Sequence, residues 1–166
     1  MAAETSSGTA TVTLPTDEQI RITREFAAPK DLVYKAWTDP ELVKRWWNAK
    51  RGEVTISEVD LRVGGKWRRV MVTEDGYEVG FHGEYREIVP NERIVYTEVF
   101  EGVPQGTAEE GTLNTATFDE ADGRTTLTIL TEAPSKEIRD AIIDSGMEAG
   151  MQDAMDLLEE VAISVR

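Results

Sequence analysis

The sequence predicts an α+β domain, a largely antiparallel sheet covered on one face by a long C-terminal helix. Three observations carry that prediction. From Glu53 to Glu132 the apolar residues recur with a period of two, broken by short turn signals. Two brief helical patterns, "PKDLVYKAW" and "DPELVKRWW", precede that run. From Ser135 to about Ala162 the apolar spacing changes to three and four residues, over a length no other segment approaches. An antiparallel sheet has one face to bury, and only that terminal helix is long enough to cover it.

Taken in order, Met1 to about Gly8 is small, polar and rich in Ser and Thr, and reads as a flexible tail before a single domain spanning 9–166. Thr9–Leu14 suits an edge strand before Pro15. "QIRITREF" alternates, with Ile20, Ile22 and Phe26 on one face. In the two short helices Leu32, Val33, Ala36 and Trp37 share a spacing that Leu42, Val43, Trp46 and Trp47 repeat. Asp39 suits the N-cap of the second, with Pro40 at its first position and Glu41 near the positive end of the dipole.

Strands are then expected at about 53–59, 66–74, 78–89, 93–101, 112–119 and 125–132. Turn chemistry separates them at Val63–Gly65, Asp75–Gly76, Pro90–Asn91 and Glu120–Gly123. The longer loop Gly102–Gly111 suits a pocket rim. Ser135 can cap the last helix, with Ile143, Met147, Met151, Ala154 and Leu158 as its buried stripe and Glu159 on the outer side. Gly146 and Gly150 each cost about 1 kcal/mol against alanine in a helix interior. That expense predicts close packing there, or a bend.

Composition excludes several classes of function. The 166 residues carry a formal charge of −14 and no cysteine. The charge argues against nucleic acid, which needs a basic footprint, and against anionic membrane surfaces. Without cysteine there are no disulfides, thiolate nucleophiles or cysteine metal sites. No run is long and apolar enough for membrane insertion, and no signal-peptide pattern opens the chain. A cytoplasmic protein with no metal and no cofactor is the expectation. The only histidine, His82, falls on an outward strand face with Glu84 and Arg86, and there is no G-x-S-x-G motif and no phosphate loop.

Candidate binding residues follow from the hairpins. A two-residue turn at Asp75–Gly76 pairs Val70 with Phe81 and Arg68 with Gly83; one at Pro90–Asn91 pairs Phe81 with Phe100 and Tyr85 with Tyr96. The inner face then carries Phe81, Tyr85, Tyr96 and Phe100, with Arg68 and Glu98 flanking Gly83. A four-residue last loop pairs Asn114 with Ile129, so Asn114 also points inward. These polar groups form either an internal ion pair plus a satisfied amide, or fixtures that orient a ligand in an apolar pocket. Met147, Met151 and Met155 recur every fourth residue of the last helix and lie over that face. Methionine fills irregular gaps, so the stripe is either plain core or the adaptable lining of a cavity. Of Trp46 and Trp47, one suits the core and the other an opening.

Four stretches, Arg24–Trp47, Asp60–Arg68, Gly83–Thr97 and Thr115–Ile129, together resemble the bacterial proteins similar to the activator of the heat-shock-protein ATPase. Those proteins belong to the START-like, or SRPBCC, superfamily. The resemblance implies the helix-grip fold, a curved antiparallel sheet wrapped around a long C-terminal helix, with two short helices after the first strand and a cavity between sheet and helix. It implies binding of a lipid-, polyketide- or natural-product-like molecule, for transport or sequestration. Two alternatives stay open. One is a cyclase or dehydratase with Glu98 as base and Arg68 holding an enolate. The other is a chaperone-associated or other protein-binding module presenting Trp46 and Trp47 or the acidic helix face to a protein partner.

Overall fold

Period-two alternation becomes one eight-stranded antiparallel sheet in the computed structural model, which describes residues 10–49, 51–101 and 111–165. The strands are β1 (Thr11–Thr13), β2 (Gln19–Phe26), β3 (Gly52–Val59), β4 (Lys66–Thr73), β5 (Glu78–Val89), β6 (Arg93–Phe100), β7 (Thr112–Ala121) and β8 (Arg124–Glu132). They lie in the order β1-β2-β8-β7-β6-β5-β4-β3, so β3 to β8 form a meander and β2 joins it beside β8. The helices are α1 (Lys30–Thr38), α2 (Pro40–Val43), α3 (Lys136–Asp144) and α4 (Met147–Ser164). The α+β helix-grip architecture expected from the sequence is the one observed, a curved open sheet with its concave face covered by the C-terminal helix. The expectations for 1–8 and most of the loop 102–111 lie outside the described residues.

Three hairpin loops differ in length from the expected ones, with a different consequence at each. Between β4 and β5 the loop has three residues, Glu74–Gly76, with Gly76 at φ +85° and the Thr73 N–H donating to the Tyr77 carbonyl at 2.9 Å. Arg69 therefore pairs with Phe81, and Arg68 with His82. A one-residue change reverses a strand's faces. Trp67, Arg69 and Met71 point inward, and Arg68, expected inside, points outward. Between β5 and β6 the loop is also one residue longer than expected, pairing Val89 with Arg93, but a bulge between Tyr85 and Glu87 restores the register. Tyr85 still meets Tyr96, and Phe81 still meets Phe100. Between β7 and β8 Asp122 (φ 54°) and Gly123 (φ 75°) form a two-residue turn, and Asn114 pairs with Thr131, not Ile129. That shift is even, so Asn114 keeps its inward face.

The terminal helix is broken. α3 begins where Ser135 Oγ accepts the Ile138 N–H at 3.2 Å, as its sequence suggests. It ends before Gly146, whose φ of 82° is the left-handed conformation that glycine adopts freely. Gly146 thus makes the bend, whereas a Cβ at Gly150 would meet open space, so close packing explains neither residue. α4 buries Met155, Leu158, Val161 and Ala162, and it also buries Glu159, against expectation. The reason is Arg24, a β2 residue only 2% exposed, whose Nη2 lies 3.3 Å from Glu159 Oε1 and whose Nη1 lies 3.0 Å from Asp156. Glu159 Oε2 also accepts the Ala27 N–H at 2.9 Å. A buried carboxylate needs such partners, so this group fastens α4 to the first long strand.

Candidate functional site

The inner face of the central strands, with α1, forms an aromatic box. Trp37 from α1, Trp67 and Arg69 from β4, Tyr85 from β5 and Tyr96 from β6 line a cavity of about 10 Å³. That is space for roughly one water molecule. Trp46 braces the box from behind. Its ring stacks on Trp37 at 5.4 Å and 19°, and its Nε1–H donates to the Ala36 carbonyl at 2.8 Å. Trp67 meets Tyr96 edge-on at 6.0 Å. The Arg69 guanidinium lies 5.0 Å from the Trp67 ring centre and 5.8 Å from that of Trp46. Contact of a cation with aromatic faces recovers part of its desolvation cost.

The electrostatics of the box are unbalanced. Arg69 is only 9% exposed, and among the described residues no carboxylate lies within ion-pairing distance of it. Among the described residues its Nε has no hydrogen-bond partner, and neither do Trp67 Nε1 and the hydroxyl of Tyr34, a residue near enough to influence Tyr85. Burial disfavours the charge on Arg69, with Tyr85, Tyr96 and Glu98 near enough to oppose that effect. Glu98 is enclosed by protein yet keeps part of its surface open. Burial raises its carboxyl above the ordinary range, and the attraction of Arg69 offsets this only in part. Burial also pushes the Tyr85 phenol up to about 12 and the Tyr96 phenol up as well. Both phenols are neutral donors at pH 7.

The structure assembles some expected residues here and disperses others. Tyr85, Tyr96 and Glu98 belong to the box or its edge. Arg68 lies on the opposite face of the sheet, its Nε 3.0 Å and Nη2 2.9 Å from the Glu101 carboxylate, which also meets His82 Nδ1 at 2.8 Å. Arg68 and then His82 hold that carboxyl below its ordinary value. Phe81 does sit on the inner face, as one member of an aromatic track beside the box. Trp47 meets it edge-on at 5.9 Å, and Phe100, 37% exposed, meets it at 5.0 Å.

Asn114 is a satisfied amide, donating to Thr112 Oγ1 at 2.9 Å and accepting from Thr131 Oγ1 at 2.6 Å. Met155 is buried, Met147 and Met151 are half-buried, and none of the three lines the cavity. Trp46 is core and Trp47 is half-buried. Sequence reasoning missed Tyr34, Trp37, Trp67 and Arg69. For Trp67 and Arg69 the available signal was "TEDGY", which fits a three-residue loop with glycine in the left-handed position as well as it fits a two-residue turn.

The family model for Activator of Hsp90 ATPase homolog 1-like protein matches residues 27–162. The chain belongs to this family. No curated protein matches the chain. Among solved structures, this AHSA1-like chain is similar to a protein from Rhodobacter sphaeroides, with 23% identity, TM-score 0.85, and 94% of this chain and 99% of that one covered. A protein from Chromobacterium violaceum is 28% identical, with TM-score 0.76 over 89% of this chain and 98% of its own. An AHSA1-like protein from Aeromonas hydrophila is 22% identical, with TM-score 0.64 over 84% and 92%. The Rhodobacter and Aeromonas likenesses extend to the fold alone. Among the described residues no helix is long and apolar enough to cross a membrane.

Proposed function

We propose that this AHSA1-like chain binds a small hydrophobic, ring-bearing molecule on the concave face of the sheet. One observation carries the reading. Among the described residues, two buried donors of the cavity lining, Arg69 Nε and Trp67 Nε1, have no protein acceptor, and neither has the Tyr34 hydroxyl nearby. An unpaired buried donor costs about 1–3 kcal/mol, which an acceptor on a ligand would relieve. The cavity of about 10 Å³ admits about one polar atom of such a molecule. Its apolar body would follow the track from Phe81, paired with Arg69 across the hairpin, past Trp47 to exposed Phe100. Entry then requires repacking, for which the half-buried, unbranched Met147 and Met151 beyond the Gly146 bend are suited.

Native mass spectrometry of freshly purified protein tests this reading, together with thermal shifts against a panel of aromatic ligands. A retained mass lost on denaturation, or a ligand-dependent rise in Tm, supports it. Unliganded protein with no shift across the panel refutes it.

A second reading has its own observation. Glu98 has no paired cation among the described residues, and its carboxyl is raised by burial, as a general base working near neutrality requires. Under it the bound molecule undergoes proton transfer, with Arg69 in the enolate-holding role earlier assigned to Arg68. Glu98→Gln would spare binding and abolish turnover; full turnover in that variant ends the idea. The protein-docking alternative loses one of its two tryptophans, because Trp46 is only 4% exposed.

A further inference from the structure

We propose that the ligand is an anion, a ring-bearing carboxylate whose carboxylate group is neutralised by Arg69 at the mouth of the aromatic box. The inference rests on the binding reading above and specifies the chemistry of its polar end. A guanidinium stays charged under all physiological conditions, so burial cannot discharge it as it would a lysine.

Among the described residues three arginines are buried: Arg24, Arg69 and Arg139. Arg24 is met by Asp156 and Glu159, and Arg139 by Asp140 at 2.8 Å and the Thr16 carbonyl at 2.8 Å. Arg69 alone of the three lacks a carboxylate within ion-pairing distance among the described residues. Two indoles lie near it, and aromatic faces neutralise a cation far less well than a carboxylate does.

The rest of the wall has the same polarity. Trp67 contributes an N–H, and Tyr85 and Tyr96 contribute hydroxyls that remain protonated at neutral pH. Tyr34, outside that lining, has a hydroxyl with no partner among the described residues and lies close enough to Tyr85 to influence it. A wall made mostly of donors around a planar fork favours a group with several lone pairs in one plane, which describes a carboxylate. A space of about 10 Å³ has room for about one oxygen of that headgroup, so the carboxylate sits at the mouth and the ring lies along the Phe81 track. Among the described residues Glu98 is the carboxyl at the edge. It lies within electrostatic reach of Arg69 without forming an ion pair, so it leaves the fork available.

The test is isothermal titration calorimetry of the full chain with 2-naphthoate and its neutral isostere 2-naphthamide, repeated on Arg69→Met. Charge-assisted pairing predicts that the wild type binds naphthoate roughly 10- to 100-fold more tightly than naphthamide. Arg69→Met should erase that preference while retaining naphthamide binding. Equal affinity of the wild type for both compounds overturns the anion inference and leaves the binding reading standing. Binding of neither compound, with native mass spectra also free of ligand, overturns both. Should Arg69→Met fail to fold, the wild-type ratio decides alone.

Discussion

Arg24 and Arg69 are both buried on the inner face of the sheet, and the same substitution should destabilise at Arg24 but not at Arg69. Arg24→Met removes the guanidinium that lies 3.3 Å from Glu159, a carboxylate 0% exposed. Asp156 adds little to the balance, because its side chain is 48% exposed and water can serve it. Breaking a buried pair by removing one partner costs about 3–5 kcal/mol. Arg69→Met strands no carboxylate within ion-pairing distance among the described residues. It removes an unneutralised charge and keeps an unbranched chain to pack between Trp46 and Trp67. The expected change is neutral to a gain of about 1–2 kcal/mol, on the scale seen when buried charges give way to apolar side chains. Urea unfolding separates the two. With a slope near 2 kcal/mol/M, Arg24→Met lowers the midpoint by about 1.5–2.5 M, while Arg69→Met leaves it unchanged or raises it by up to about 1 M. Equal slopes are required for that comparison. Comparable destabilisation by both variants would mean that Arg69 is compensated within the fold, and the case for an unmet cation in the box would collapse.

Gly150→Ala should stabilise by up to about 1 kcal/mol, since the helix gains a better former in open space, whereas Gly146→Ala should cost about 1 kcal/mol through its left-handed backbone; paired thermal melts check the opposite signs. Gly83→Ala should destabilise by more than about 2 kcal/mol, because the new Cβ would fall 1.8 Å from the Thr97 carbonyl oxygen and 2.7 Å from Trp67 Nε1; chemical unfolding reads this, and a change within error would contradict the close approach. Glu98 carries a raised carboxyl, so the folded state holds its proton more tightly than the unfolded one, and its contribution is lost as pH rises from the ordinary carboxyl value of about 4.3 through the raised one. Glu98→Gln should therefore match the wild type near pH 4 and exceed its stability at pH 8, and a gap of the reverse sign would show that Glu98 is ionised and paired.

Strand positions were legible because alternation and turn residues are local signals, and β2 matches the quoted stretch "QIRITREF" residue for residue. Facing was less legible, because it depends on loop parity. For β6 two one-residue departures cancelled: the longer Pro90–Glu92 loop was compensated by the bulge after Tyr85. For β4 nothing cancelled. "KWRRVMV" presents Trp67 and Met71 on one face and Val70 and Val72 on the other, so hydrophobicity alone could not choose between Arg68 and Arg69. The buried Glu159 was illegible for a related reason. A carboxylate on a helix reads as solvent-facing until a buried arginine from a strand more than a hundred residues away is brought to it.

The chemistry of the box therefore turns on one loop. Gly76, at φ +85°, closes a three-residue connection, and its length decides which of two adjacent arginines enters the concave face. With a two-residue turn, Arg69 would point outward, and Arg68 would enter without Glu101, its present partner on the outer face. Either register buries one arginine, so a cation inside is a property of the "RR" pair. What the observed register adds is its company. Arg69 shares its strand face with Trp67 and sits opposite Phe81, at the start of an aromatic path to exposed Phe100. A buried charge at the closed end of an apolar path is costly in an empty fold and useful in an occupied one. That asymmetry, more than the size of the present cavity, makes ligand binding the reading this sheet face supports best.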